Sequence, residues 1–161
     1  MAKLYIVGTP IGNLKDITLR ALETLKAVDI IACEDTRHSL ALLNHYEIKA
    51  RLVAYHKFNE KECGDYLATE IESGKNVAII TDAGMPAISD PGAVLVKLCR
   101  SRGIDVEVVP GPTAFASAVA MSGIESTGFT FLGFMPEKKK LKVALLSKYA
   151  KSEVPVIFYV A

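Results

Sequence analysis

The chain lacks any unbroken apolar run long enough to span a bilayer, so no transmembrane helix is expected. Its start, MAKLYIVG, lacks the charged, apolar and small-residue zones of a secretory signal, because its apolar run is too short. Cysteine is sparse: Cys33, Cys63 and Cys99 lie far apart and outside any C-x-x-C or His/Cys cluster. Neither a disulfide framework nor a zinc site is indicated, and no metal is expected. Such isolated thiols suit a reduced, cytoplasmic protein. Charge of one sign is missing too. The net charge is +1, whereas nucleic-acid binders commonly carry a basic stripe. The one dense basic run is KKKLK, Lys138 to Lys142, and its plain reading is a solvated loop or helix start. Two phosphate signatures are absent as well. Gly8 and Gly12 have Pro10 between them and no third glycine opens a helix, so G-x-G-x-x-G fails, and G-x-x-x-x-G-K-[ST] does not occur.

What is present is a rhythm. The chain has 161 residues, half of them apolar, which suits one domain or one domain plus part of a second. Short apolar runs at 4–7, 29–33, 51–55, 76–80 and 106–109 read as strands. Helical patterns at 18–28, 39–46, 60–74, 93–103 and 113–123 alternate with them. The strands are apolar on both faces, as in a parallel sheet buried under helices on both sides. Residues 113–123 form a small-residue helix able to approach a sheet closely. The rhythm then changes. FTFLGF at 129–134 precedes a polar stretch, a helix LKVALLSKYAK and a strand-like VPVIFYVA. The expected organisation is an N-terminal α/β cofactor and substrate domain over 1–134, then a linker and the beginning of a second α/β domain over 135–161. In the alternative, the last strand pairs with the first sheet.

In an open α/β sheet, ligands bind beyond the carboxyl ends of the strands. The five loops there read GTPIGN (8–13), EDTR (34–37), HKFNE (56–60), TDAGMPAISDPG (81–92) and PGPTA (110–114). Glycine lets a ligand approach the main chain without a Cβ in the way. Proline fixes φ, so such loops are stiff before a ligand arrives. One Gly/Pro loop reads as a tight turn; three on one edge of a sheet point to a cleft. Within TDAGMPAISDPG, Ser89 or Asp90 is expected to cap the following helix, with Pro91 at its first position.

VGTPIGN, ACEDTR, YHKFNE, TDAGMPAISDPG, VVPGPTA and FLGF stand here in this order. Together they resemble the tetrapyrrole-methylase superfamily of S-adenosylmethionine-dependent methyltransferases. Within it they are similar to the branch that methylates a cytidine 2′-hydroxyl of small-subunit (16S-type) ribosomal RNA. The resemblance covers essentially the whole chain. It implies two α/β domains, a cofactor folded between them, and a homodimer acting on small-subunit RNA or the ribosomal subunit. It also implies that this span by itself turns over weakly or not at all, since part of the cleft belongs to the second domain. By motif, Gly8, Thr9 and Pro10 form the floor beneath the cofactor. Asp82, Ala83, Gly84 and Met85, with Pro86 and Ile88, hold its methionine end and ribose through backbone groups. Pro112, Thr113 and Ala114 line the far wall, Thr113 offering a hydroxyl. Met85 stands where a small polar residue, commonly Thr, is expected, which matters only if the contact is made by a hydroxyl.

Methyl transfer from a sulfonium is an in-line displacement, so the protein mainly aligns donor and acceptor. A ribose hydroxyl is a poor nucleophile, and a positioned base would help. Asp35 and His56 are the candidate catalytic residues, with Glu34 beside Asp35, all at strand ends. Asp35 with Arg37 is alternatively a structural ion pair, and His56 alternatively caps a turn. Arg37, Lys57, Lys138, Lys139 and Lys140 are candidate phosphate contacts. Two other readings stay open: a tetrapyrrole or other small-molecule or side-chain acceptor within the same superfamily, and a non-catalytic nucleoside- or RNA-binding module.

Overall fold

The structure is a computed structural model, and it describes residues 1–160. They divide into two compact units, Met1–Thr113 and a second that starts at Ala114.

The first unit is built on five parallel strands: β1 (Leu4–Val7), β2 (Ile30–Cys33), β3 (Arg51–Ala54), β4 (Val77–Ile79) and β5 (Val106–Val109), in the order β3-β2-β4-β1-β5. Helices α1 (Leu19–Ala27), α2 (Thr36–His45), α3 (Glu60–Glu72) and α4 (Ala93–Ser101) make the crossovers. Because side chains alternate along a strand, the sheet has two apolar faces. Leu4, Ile6, Ile30, Val77 and Ile79 pack with Leu67 and Ile71 of α3 and with Leu95 and Cys99 of α4. Their neighbours Val7, Ile31, Ala78 and Ile80 pack with Ala21 and Leu25 of α1 and with Leu43 of α2. Each fully buried Leu or Ile is worth about 1.5–3 kcal/mol, so this two-sided core holds the unit together. β2 and β4 are buried throughout, while β3, at the edge, is exposed at both ends. The expected α/β class, a parallel sheet with helices on both faces, is what forms.

The topology also places the cleft. The chain leaves β1 towards the α1/α2 face and leaves its neighbour β4 towards the α3/α4 face. Connections that part to opposite faces from adjacent strands open a crevice at their carboxyl ends.

The second unit contains α5 (Ala114–Ser122), β6 (Thr130–Phe134), α6 (Lys139–Tyr149) and β7 (Val156–Tyr159). β6 and β7 pair in parallel in a sheet of their own, so β7 does not join the first sheet. Phe115, Phe129, Phe131, Phe134 and Tyr159 form its aromatic cluster, with Phe115 and Phe131 stacked at 4.4 Å. By compactness the division falls before α5, not near residue 135, because β6 takes β7 as its partner. No residue of α5 or α6 is buried. Among the described residues no helix is long and apolar enough to cross a membrane.

Candidate active site

Three strand-end loops meet through their backbones. Thr9, after β1, and Gly84, after β4, exchange both hydrogen bonds: the Thr9 amide donates to the Gly84 carbonyl at 3.0 Å and the Gly84 amide to the Thr9 carbonyl at 3.1 Å. The buried Thr9 hydroxyl donates to the Thr81 carbonyl at 3.0 Å. After β5, Gly111 lies against Gly8 so closely that a Cβ on Gly8 would sit 2.6 Å from the Gly111 Cα and 2.8 Å from the Met85 sulfur. Only glycine fits both positions. Gly84 has φ of +89°, a left-handed conformation that glycine adopts without strain. The result is a wall fixed before any ligand arrives.

The candidate cofactor residues of the first unit fall on this wall. Gly8, Thr9, Pro10, Gly84 and Pro86 are buried in it, while Asp82, Ala83 and Ile88 are exposed. The Met85 side chain packs against the core beneath β1 and β4, so it presents no polar group. Pro112 and Thr113 are half-buried, and the Thr113 hydroxyl donates to the Gly111 carbonyl at 3.3 Å. Ala114 opens α5 in the second unit.

Beside the wall stands an acidic group. Register pairs Ala32 with Ile79 and Cys33 with Ala54, so Glu34 ends β2 between the loops after β3 and β4. Partial burial, then the Asp82 and Asp90 carboxylates, push the Glu34 carboxyl above its ordinary range, with His56 opposing. Burial likewise raises Asp90, against a hydrogen bond from the Thr81 hydroxyl.

Asp90 therefore turns back over β4 and does not cap α4. The expected cap at Ser89 or Asp90 and Pro91 at the first helical position are corrected: α4 starts at Ala93, after Gly92 at φ of 140°. Ala87 reverses the chain at φ of 64°, and its amide donates to the Pro91 carbonyl at 3.3 Å. That curl delays the helix, and the Gly92 amide donates instead to Glu60 Oε1 at 3.2 Å. The Ser89 hydroxyl is left buried without a partner.

α2 starts earlier than its apolar period suggests. Asp35 is its N-cap and accepts the Arg37 amide at 2.8 Å. That hydrogen bond holds the Asp35 carboxyl below the usual range. Among the described residues no ion pair joins Asp35 to Arg37; the link is to the Arg37 backbone. His56 is held at its backbone, where its amide donates to Asn59 Oδ1 at 2.8 Å, and its Nδ1 is buried without a partner. Arg37 and Lys57 are exposed in the first unit; Lys138, Lys139 and Lys140 are exposed at the start of α6 in the second.

A pocket of about 420 Å³ opens between the 10–14 loop, α2 and Thr81–Ala83. His38, Ser39 and Leu42 of α2 line it. Strand-end motifs could not reveal them, because they lie past the loop; their spacing of three and four along α2 is the signal that places them on one side of a helix.

The family model for tetrapyrrole (corrin/porphyrin) methylases matches residues 3–161. Proteins named ribosomal RNA small subunit methyltransferase I are similar: one from Mycoplasmopsis pulmonis is 59% identical over 86% of this chain and 62% of its own length. One from Thermotoga maritima is 50% identical over 98% and 71%, and one from Haemophilus influenzae 51% identical over 97% and 55%. The chain thus spans between about half and three-quarters of these curated relatives. Among solved structures, a diphthine synthase aligns with TM-score 0.79 at 14% identity over 99% of this chain and 64% of its own, a likeness of fold alone. A uroporphyrin-III-C-methyltransferase from Thermus thermophilus aligns with TM-score 0.63 at 25% identity over 85% and 61%. On the family model and these relatives, the chain belongs to the tetrapyrrole (corrin/porphyrin) methylase family.

Proposed function

We propose that this chain carries the N-terminal part of an S-adenosylmethionine-dependent methyltransferase, cytoplasmic and homodimeric, that methylates the 2′-hydroxyl of a cytidine in small-subunit ribosomal RNA. The relatives' names motivate the RNA acceptor. The observation that carries the reading is the fixed backbone wall beside partly buried carboxylates. Two features fit the cofactor. Gly8 and Gly111 let the loops after β1 and β5 close against each other, which fixes the wall before a ligand arrives. Burial first, and then the Asp82 carboxylate, raise Glu34 and Asp90, and a positive charge beside them would favour their ionised forms. When bound, S-adenosylmethionine supplies an electrophilic methyl group on a cationic sulfur.

The chain's own residues then have three tasks. Backbone groups of Asp82 to Ile88, with Pro112, Thr113 and Ala114, hold the cofactor against the floor at Gly8, Thr9 and Pro10. Arg37 and Lys57, with Lys138, Lys139 and Lys140, take phosphates of the RNA. His56, half-buried in the loop after β3, takes the proton from the ribose hydroxyl. Asp35 is the weaker candidate, since its carboxylate already serves α2.

Calorimetry tests the cofactor half of this reading. Binding of S-adenosylmethionine is expected to exceed that of adenosine and NAD; equal affinity for all three would leave a general nucleoside-binding module. The uroporphyrin enzyme among the structural neighbours motivates a second acceptor class, so a screen of RNA against tetrapyrroles decides the acceptor.

A further inference from the structure

The pocket beside α2 shares only Pro10, Asp82 and Ala83 with the candidate cofactor wall. Gly8, Thr9, Gly84, Met85 and Pro112 take no part in lining it. It is therefore a neighbouring space with a common partition. An acceptor must sit in such a place, next to the donor and not on top of it, because in-line transfer needs the two aligned from opposite sides.

We propose that this pocket receives the base of one unstacked nucleotide of single-stranded RNA. The inference rests on the methyltransferase reading above for its acceptor class. Four observations support it. The volume, about 420 Å³, is within the range of pockets that enclose a small ligand. Ile11 and Leu42 offer apolar surfaces of the kind on which a base can lie, since every base has a π face and stacking tolerates sequence. Polar groups punctuate that surface: His38 and Asp82 line it, and so does Ser39, whose hydroxyl is buried without a hydrogen-bond partner of normal geometry, its polar neighbour being the Cys33 thiol. Two exposed cations are sequence neighbours of lining residues, and Asp82 sets one carboxylate in the lining itself. Lys15 follows Leu14 and Arg37 precedes His38; both are exposed, and among the described residues neither enters an ion pair. Cations next to an apolar slot suit a phosphate backbone with one base turned in.

The pocket is also held in shape. The Tyr46 hydroxyl of the residue after α2 donates to the Leu14 carbonyl. Asn13 accepts the Lys15 amide at 3.0 Å and caps the 3-10 turn Leu14–Asp16. The loop that forms one wall is thus tied to the helix that forms the other.

Photo-cross-linking tests this. A short single-stranded RNA with one cytidine replaced by 5-iodocytidine is irradiated with the chain, and adducts are mapped by mass spectrometry. Adducts are expected within Ile11–Leu14 or His38–Leu42. Ala41→Glu, on the exposed side of α2 at the pocket mouth, should lower their yield about tenfold, because a carboxylate there repels the phosphate backbone. The same variant should leave its melting temperature and its calorimetric affinity for S-adenosylmethionine unchanged, whereas Ala41→Gln should leave cross-linking intact. Adducts elsewhere, none at all, or S-adenosylmethionine competing them away would each overturn the proposal. Pocket adducts from a protein that transfers no methyl to RNA would keep the pocket and sink the methyltransferase reading. Methylated RNA without pocket adducts would do the reverse.

Discussion

Asp35 and His56 stand at the ends of neighbouring strands, yet their surroundings assign them different work. Asp35 accepts the Arg37 amide and caps α2. Asparagine caps a helix as well as aspartate does but takes up no proton as a base. Asp35→Asn should therefore keep both the unfolding midpoint and the methyl-transfer rate, as denaturant titration and single-turnover assays would record; loss of rate with stability kept would make Asp35 the base. Asp90 differs again, being partly buried with its carboxyl raised, first by burial and then by Asp82. A carboxylate raised in the folded state supports stability at low pH, and that contribution is lost as pH rises from its unfolded value, about 3.9, through its higher folded one. Asp90→Asn keeps an acceptor for the Thr81 hydroxyl without the charge. It should unfold at a higher denaturant concentration than the parent at neutral pH and at the same concentration at pH about 3; the reverse order would mean that the Asp90 charge is stabilising.

At the scale of elements, the loops after β1 and β5 approach until Gly8 and Gly111 touch, and a Cβ on Gly8 has no room. Gly8→Ala should destabilise by about 1–3 kcal/mol, as overpacking does, and should weaken S-adenosylmethionine binding in parallel, read by chemical denaturation and calorimetry. The five strands and their helices were legible because apolar runs and helical periods record burial on both faces of a sheet. The Gly/Pro loops were legible for the same local reason. Two starts were not. α2 begins at Thr36 because Asp35 caps a first turn made of polar residues, which carry no apolar period. α4 begins at Ala93 because Ala87 and Gly92 curl the loop, and its cap acceptor is Glu60, far away in sequence. The pairing of β6 with β7 was equally hidden, since nothing in FTFLGF names its partner. The pocket side of α2 escaped as well, for it is made by a helix face and a loop that meet only in the fold.

At the scale of the whole molecule, the first unit holds the candidate cleft and the second supplies α5 and a parallel βαβ unit. The relatives run longer, with the chain covering 55% of the Haemophilus influenzae protein, so activity is best measured on this chain extended to the length of those relatives. The most direct measurement supplies methyl-labelled S-adenosylmethionine to that protein together with small ribosomal subunits, digests the RNA to nucleosides and locates the label. The predicted result is label on the ribose oxygen of one cytidine. Label on a base, or cofactor bound tightly with no RNA labelled, would contradict it.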